Sequence, residues 1–109
     1  MTEDTNVTAV AGRLVKDAEL KQGAGLPVGF FTVATNRKKK DRNGNYVEEA
    51  SYLNVTVYGK YAETIIPVLK KDAKVCVTGS IKQERWTDRE TGQSKSRVVI
   101  TADSVQIFR

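Results

Sequence analysis

The chain has no histidine, one cysteine, two prolines and one tryptophan among its 109 residues. Without histidine, and with Cys76 alone, the usual zinc ligands are missing, and so are most acid–base and nucleophilic side-chain sets. A lone cysteine also excludes an internal disulfide. Its place between Val75 and Val77 reads as a small buried strand residue. No apolar run approaches the length of a transmembrane helix. Met1 to Asn6 is polar and acidic, lacking the basic start and apolar stretch of a secretory signal. The expectation is a protein of the cell interior that is not an enzyme, with no catalytic residues, no metal and no cofactor.

What is present is ordinary in amount and informative in arrangement. A hydrophobic fraction of 39% with 28% charged residues is the composition of a folded domain rather than of a disordered chain. The length suits a single domain over residues 1–109, with residues 1–5 expected to be flexible. Lysine and arginine outnumber aspartate and glutamate by 18 to 13, and the net charge of +5 favours a polyanionic partner without naming one.

Five segments read as strands. Val7 to Val15 alternates loosely and is expected to bend at Gly12. After a glycine-rich turn over Gln22 to Pro27, VGFFTVATN places Phe31 and Val33 on one face and Phe30 and Thr32 on the other. The Gly-Ala-Gly step is expected to join these two strands as a hairpin. RKKKDRNGNYVEE has the composition of an exposed loop at the tip of a second, long hairpin. Next, Leu53, Val55 and Val57 alternate at period two with Tyr52, Asn54, Thr56 and Tyr58. Ala62, Ile65, Ile66 and Leu69 then mark one short amphipathic helix, which Pro67 should distort. KVCVTGSIK is expected to turn Val75, Val77 and Ile81 inward, and VVITADSVQIF closes the set. The order β-β-β-α-β-β predicts an all-β fold with one short helix: a five-stranded Greek-key barrel of the OB type, with the helix between strands 3 and 4. A plain β-sandwich is the alternative.

Three aromatics stand out. Tyr52 and Tyr58 lie on the face opposite Leu53, Val55 and Val57, where a wet sheet normally carries small polar or charged groups. Trp86 sits in the hydrophilic stretch KQERWTDRETGQSKSR, outside any strand alternation. Such rings offer flat surfaces to unstacked bases, at about 1 to 3 kcal/mol per base and without regard to base identity. The bland alternatives are packing beneath a loop or at a subunit interface. Around Trp86, Lys82, Arg85, Arg89, Lys95 and Arg97 can meet phosphates, while Glu84, Asp88 and Glu90 dilute their field. Arg37, Lys38, Lys39, Lys40 and Arg42 form the densest positive run, which by itself is an ordinary solvated surface. The helix carries only Glu63 and Thr64 as mid-helix polar groups, a poor tool for reading duplex base edges. An unpaired strand fits better.

Five motifs, in order and spacing, make the chain resemble the bacterial single-stranded DNA-binding proteins over nearly its whole length: AGRLVKDAEL, FTVATNRKKKD, VTVYGKYAE, KVCVTGSI and RWTDRETGQ. The resemblance implies an OB barrel that binds and protects single-stranded DNA, without sequence preference, during replication, recombination and repair. It implies base stacking by Trp86, Tyr52 and Tyr58, where the family places its aromatics. Phosphate contacts are expected from Arg37, Lys38, Lys39, Lys60 and Arg85. It implies a homo-oligomer, usually a tetramer, in the bacterial cytoplasm with the nucleoid, and no membrane partner. Lys39 stands where the family often has tryptophan, so one platform is exchanged for charge. Ala18 replaces a frequent proline, and Pro67 is unusual in the helix. The family's flexible linker and acidic, Phe-tipped tail do not follow Arg109, which leaves two readings: a tail outside the sequence given, or a short member that coats DNA without recruiting replication and repair partners through a tail. Other classes remain in view: an OB module working through protein contacts, as in a primosome component, and an RNA-binding or cold-shock-like domain.

Overall fold

A computed structural model describes residues 3–22 and 25–108. Six strands and one helix follow in order: β1 Thr8–Leu14, β2 Glu19–Gln22, β3 Pro27–Lys40, β4 Tyr46–Tyr58, α1 Gly59–Ile65, β5 Lys74–Thr87 and β6 Ser94–Ile107. The sheet runs β1-β5-β6-β4-β3-β2, and a further pairing of β1 with β3 closes five of the strands into a ring. This is the OB barrel.

Two physical details bend the simple strand count. β2 is a four-residue strand with every residue exposed, so no hydrophobic alternation announces it. It takes the edge of β3 at Pro27–Phe30, beyond the point where β1 pairs with β3 at Val33 and Ala34. The hairpin expected across Gly-Ala-Gly therefore joins β2 to β3, while β1 pairs mainly with β5. Gly23 and Ala24 lie outside the described residues, as do Met1 and Thr2 of the expected flexible start; residues 3–5 are exposed and carry no regular structure. The helix accordingly falls between β4 and β5. At the β1–β3 crossing, a Cβ on Gly12 would collide with the Ala34 carbonyl oxygen, so only glycine lets the two backbones approach this closely.

The core is aliphatic and comes from inward-facing alternate residues: Leu14, Val33, Val55, Val57, Val75 and Val77 are essentially fully buried. Helix α1 adds Ala62, then passes into a 3-10 turn at Ile66–Val68 that contains Pro67, as the sequence predicts, and adds Ile66. The Tyr61 hydroxyl accepts the Val105 amide proton at 2.7 Å and docks the helix on β6. Three expectations are corrected. Thr56, assigned to the wet face, is buried, because it lies where β4 has a neighbour on both edges, Phe30 of β3 and Thr101 of β6. Ile81, expected inward, is 51% exposed, because β1 pairs with β5 only as far as Gly79 and the ring ends there. Cys76, expected to be buried, faces outward between Val75 and Val77 and is half-buried.

Candidate nucleic-acid interface

Two hairpin arms leave the barrel. The first pairs the ends of β3 and β4 through Lys40↔Tyr46, so the basic run expected as a loop is ladder-bonded strand, with only residues 41–45 as its tip. The second pairs β5 with β6 through Thr87↔Ser94. Trp86, expected in a loop, is therefore a strand residue opposite Lys95. Each tip is anchored on an aspartate. The Asp41 carboxylate accepts the amides of Asn43 and Asn45 at 2.9 Å, and the Asp88 carboxylate accepts the amide of Glu90 at 2.8 Å. Gly44 and Gly92 take the left-handed backbone that closes these turns, with φ of 82° and 72°. The Lys95 ammonium lies 2.9 Å from the Asp88 carboxylate and, with the Glu90 amide, holds that carboxyl below its usual value.

The outer face of β4 carries Tyr52, Asn54 and Tyr58 in a row, with Phe30 and Thr32 of β3 beside them. Tyr52 is 67% exposed and Tyr58 39%. Six residues apart on a strand, they are separated by about 20 Å. Trp86 is 44% exposed and shares one face of the second arm with Glu84, Lys95 and Arg97. The Arg97 guanidinium lies 5.6 Å from the centre of the indole and 2.8 Å from the Glu84 carboxylate.

Concavities lie beside several of these side chains. One hollow of about 490 Å³ opens mainly on the opposite face of the second arm, that of Gln83, Arg85, Thr87, Ser94 and Ser96, with Trp86 at its edge. On the face that carries Trp86, Arg97 lines a second hollow of about 170 Å³ with Phe30, Thr32 and Asn54. Asn54 also borders a third, of about 170 Å³, in the fork between the arms, lined with Tyr52, Ile81 and Val98. Tyr52 in turn forms a wall of the largest, about 570 Å³, whose rim includes Arg13 and Lys74. The Arg13 side chain is fixed there by a 3.2 Å hydrogen bond donated to the Asp72 carbonyl.

The expected phosphate contacts do not share one surface. Lys38 projects from the face of the first arm that carries Tyr52, while Arg37 and Lys39 project from the other. Lys39 lies 3.8 Å from Glu49, and Glu48 stands opposite Lys38. Arg85 points away from Trp86 and donates to Gln83 at 3.0 Å. Lys60 is the second residue of helix α1, two residues beyond Tyr58.

The model of the single-strand binding protein family matches residues 5–108. The chain belongs to that family. It is 38% identical over 106 residues to the single-stranded DNA-binding protein of Borreliella burgdorferi, covering 96% of this chain and 70% of that one. Identity to the protein of the same name from Treponema pallidum is 39% over 106 residues, covering 96% of this chain and 58% of its relative. Among solved structures, the Plasmodium falciparum SSB complex with ssDNA superposes with a TM-score of 0.88 at 24% identity, over the full length of both chains. The single-stranded DNA-binding protein from Thermus aquaticus, a deletion mutant, gives 0.85 at 23% identity, covering 96% of this chain and 51% of that one. These two likenesses establish the OB barrel. Proteins of the single-strand binding family are not enzymes, and the expectation of a non-catalytic chain stands on that membership.

Several residues that sequence patterns alone did not select stand beside the candidate surface. Phe30 was legible as an outward strand residue, yet only the pairing of β3 with β4 sets it beside Thr56, two positions from Asn54. Its ring also receives Lys21, whose ammonium lies 5.6 Å from the ring centre. Tyr46 is exposed near the first tip with Lys40 at 5.7 Å from its ring. Arg13 and Lys74 come from distant segments, and no spacing signals that they flank Tyr52.

Proposed function

We propose that this protein binds single-stranded DNA by stacking unpaired bases on Trp86, Tyr52 and Tyr58 and by neutralising phosphates with Arg37, Lys38, Lys39, Lys60 and Arg85, without reading sequence. The observation that carries the reading is the exposure of three aromatic rings, Trp86, Tyr52 and Tyr58, on outward faces of strands, with hollows lined by Arg97 and Asn54 and by Asn54 and Tyr52 between them. Rings spaced along a groove, with cations at its margins, accept any base sequence, because every base has a stackable face. Arg37 and Lys39 serve a strand that passes over the edge of the first arm, so that both of its faces meet phosphate. The relatives' names and the ssDNA in the Plasmodium complex point the same way.

In this reading residues 1–109 form one binding domain that protects exposed strands during replication, recombination and repair in the bacterial cytoplasm. No helix among the described residues is long and apolar enough to cross a membrane. The domain works as a homo-oligomer, a tetramer. What supports self-association is the apolar surface in the fork, where Ile81 and Val98, 51% and 60% exposed, stand next to Leu53 and Val10.

The test is quenching of Trp86, the sole tryptophan, on titration with oligo-dT and with duplex of equal length at several salt concentrations. Quenching by the single strand alone is expected, with log affinity falling by about 0.7 per phosphate contact against log salt. Equal quenching by duplex, or none by either, overturns the reading.

A further inference from the structure

Arg97 stands directly opposite Glu84 in the β5–β6 ladder and diagonally opposite Trp86, all three on one face. Its guanidinium makes a 2.8 Å ion pair with Glu84 and lies 5.6 Å from the indole centre. A planar cation at this distance is attracted to the ring face, most strongly for tryptophan. Arginine rather than lysine suits the task, because its flat, rigid fork can stack on a ring and donate to a carboxylate at once. The Glu84 side chain is well shielded, 28% exposed, whereas that of Arg97 is 54% exposed, so the carboxylate is the fixed member of the pair. Arg97 also lines the hollow of Phe30, Thr32 and Asn54, and so stands where the arm bearing Trp86 meets the outer face of β3 and β4.

We propose that Glu84 and Arg97 are positioning residues for Trp86: Glu84 holds the Arg97 guanidinium against the indole, setting the ring's orientation over the groove and leaving the rest of its surface to a single unpaired base. This rests on the base-stacking reading above and adds a role for a carboxylate that simple electrostatics makes unfavourable. If Glu84 merely weakens the positive field around the groove, removing its charge strengthens DNA binding and steepens its salt dependence. If Glu84 positions the ring through Arg97, the same change weakens binding and leaves the salt dependence as it was. The two accounts differ in sign.

The experiment compares the whole chain with Glu84→Gln and Arg97→Lys variants. The first keeps the shape of the side chain and the second keeps the charge, and thermal unfolding checks that both retain the fold. Without DNA, acrylamide quenching of Trp86 is expected to rise about twofold in each, as the stacked guanidinium is released. With oligo-dT, each is expected to bind about five- to tenfold more weakly with an unchanged slope of log affinity against log salt. Binding by Glu84→Gln that matches or exceeds the parent's overturns the proposal, as does an Arg97→Lys variant indistinguishable from the parent in both measurements. If oligo-dT fails to quench Trp86 in the parent itself, the stacking reading falls and this proposal with it. That result is separate from the others, because the variants' acrylamide quenching is read without DNA.

Discussion

The two hairpin arms are matched in size and charge and differ in how the charge is held. Residues 36–50 carry five cations and three anions, and so do residues 82–97, a balance of +2 each. Both tips close over an aspartate and a left-handed glycine. In the first arm the one ion pair is loose, Lys39 to Glu49 at 3.8 Å, between side chains that are both more than half exposed. In the second, Arg97–Glu84 and Lys95–Asp88 close to 2.8 and 2.9 Å, and a tryptophan sits between them in the ladder. Equal net charge thus conceals two tools. On the reading proposed above, the first arm offers loosely paired, exposed cations to a backbone, and the second offers one ring held beside an ion pair.

The largest expected effect breaks the pair on the aromatic side. Trp86→Ala is expected to weaken oligo-dT binding by about 1 to 3 kcal/mol, whereas Tyr46→Ala, at the tip of the first arm, changes it less than about twofold, both read by fluorescence anisotropy with labelled DNA. On the charge side, replacing Arg37, Lys38 and Lys39 together by glutamine should lower the salt slope by about 2, at roughly 0.7 per phosphate contact. Trp86→Ala leaves that slope unchanged. Titrations from low to high salt separate the two outcomes.

The tips sharpen the comparison further. Asp41→Ala and Asp88→Ala each remove carboxylate hydrogen bonds to turn amides and are expected to lower the urea midpoint of unfolding. Because the folded protein holds the Asp88 carboxyl below its usual 3.8, its contribution is fully present above that value and is lost as the pH falls from there through the lowered one. The amide resonance of Glu90, followed by NMR during acid titration, is expected to report a midpoint below the ordinary aspartate value. The smallest effect belongs to neither arm. The Thr101 hydroxyl is the buried side-chain oxygen without a hydrogen-bond partner among the described residues, and Thr101→Val should alter stability by less than about 1 kcal/mol, in the stabilising direction.

The barrel was legible because its signals are local. Val55 and Val57 declare their face by alternation, Ala62 and Ile66 by helical spacing, and Pro67 marks where that helix tightens into a 3-10 turn. Tyr52 and Tyr58 were legible for the same reason, as large rings on the wrong side of an alternating strand. What escaped depends on pairing partners remote in sequence. β2 is held by β3 and has no apolar face of its own. The basic run is strand because Tyr46–Glu49 supplies its ladder, although its composition is that of a loop. Ile81 keeps inward parity, yet the ring that would cover it ends at Gly79. Glu84 looked like a diluting charge until the register placed Arg97 across from it, between the carboxylate and the indole.

Between the arms, β4 and β6 touch along only two residue pairs, Val55↔Ile100 and Thr56↔Thr101, the one parallel contact in the sheet. The molecule is in this respect a tuning fork: two long tines, each stiffened by its own ladder, rising from a barrel that β1 closes on the far side by pairing with both β3 and β5. Beyond the barrel no backbone ladder ties one tine to the other among the described residues, so the spacing of the tines is set at their base and not along their length.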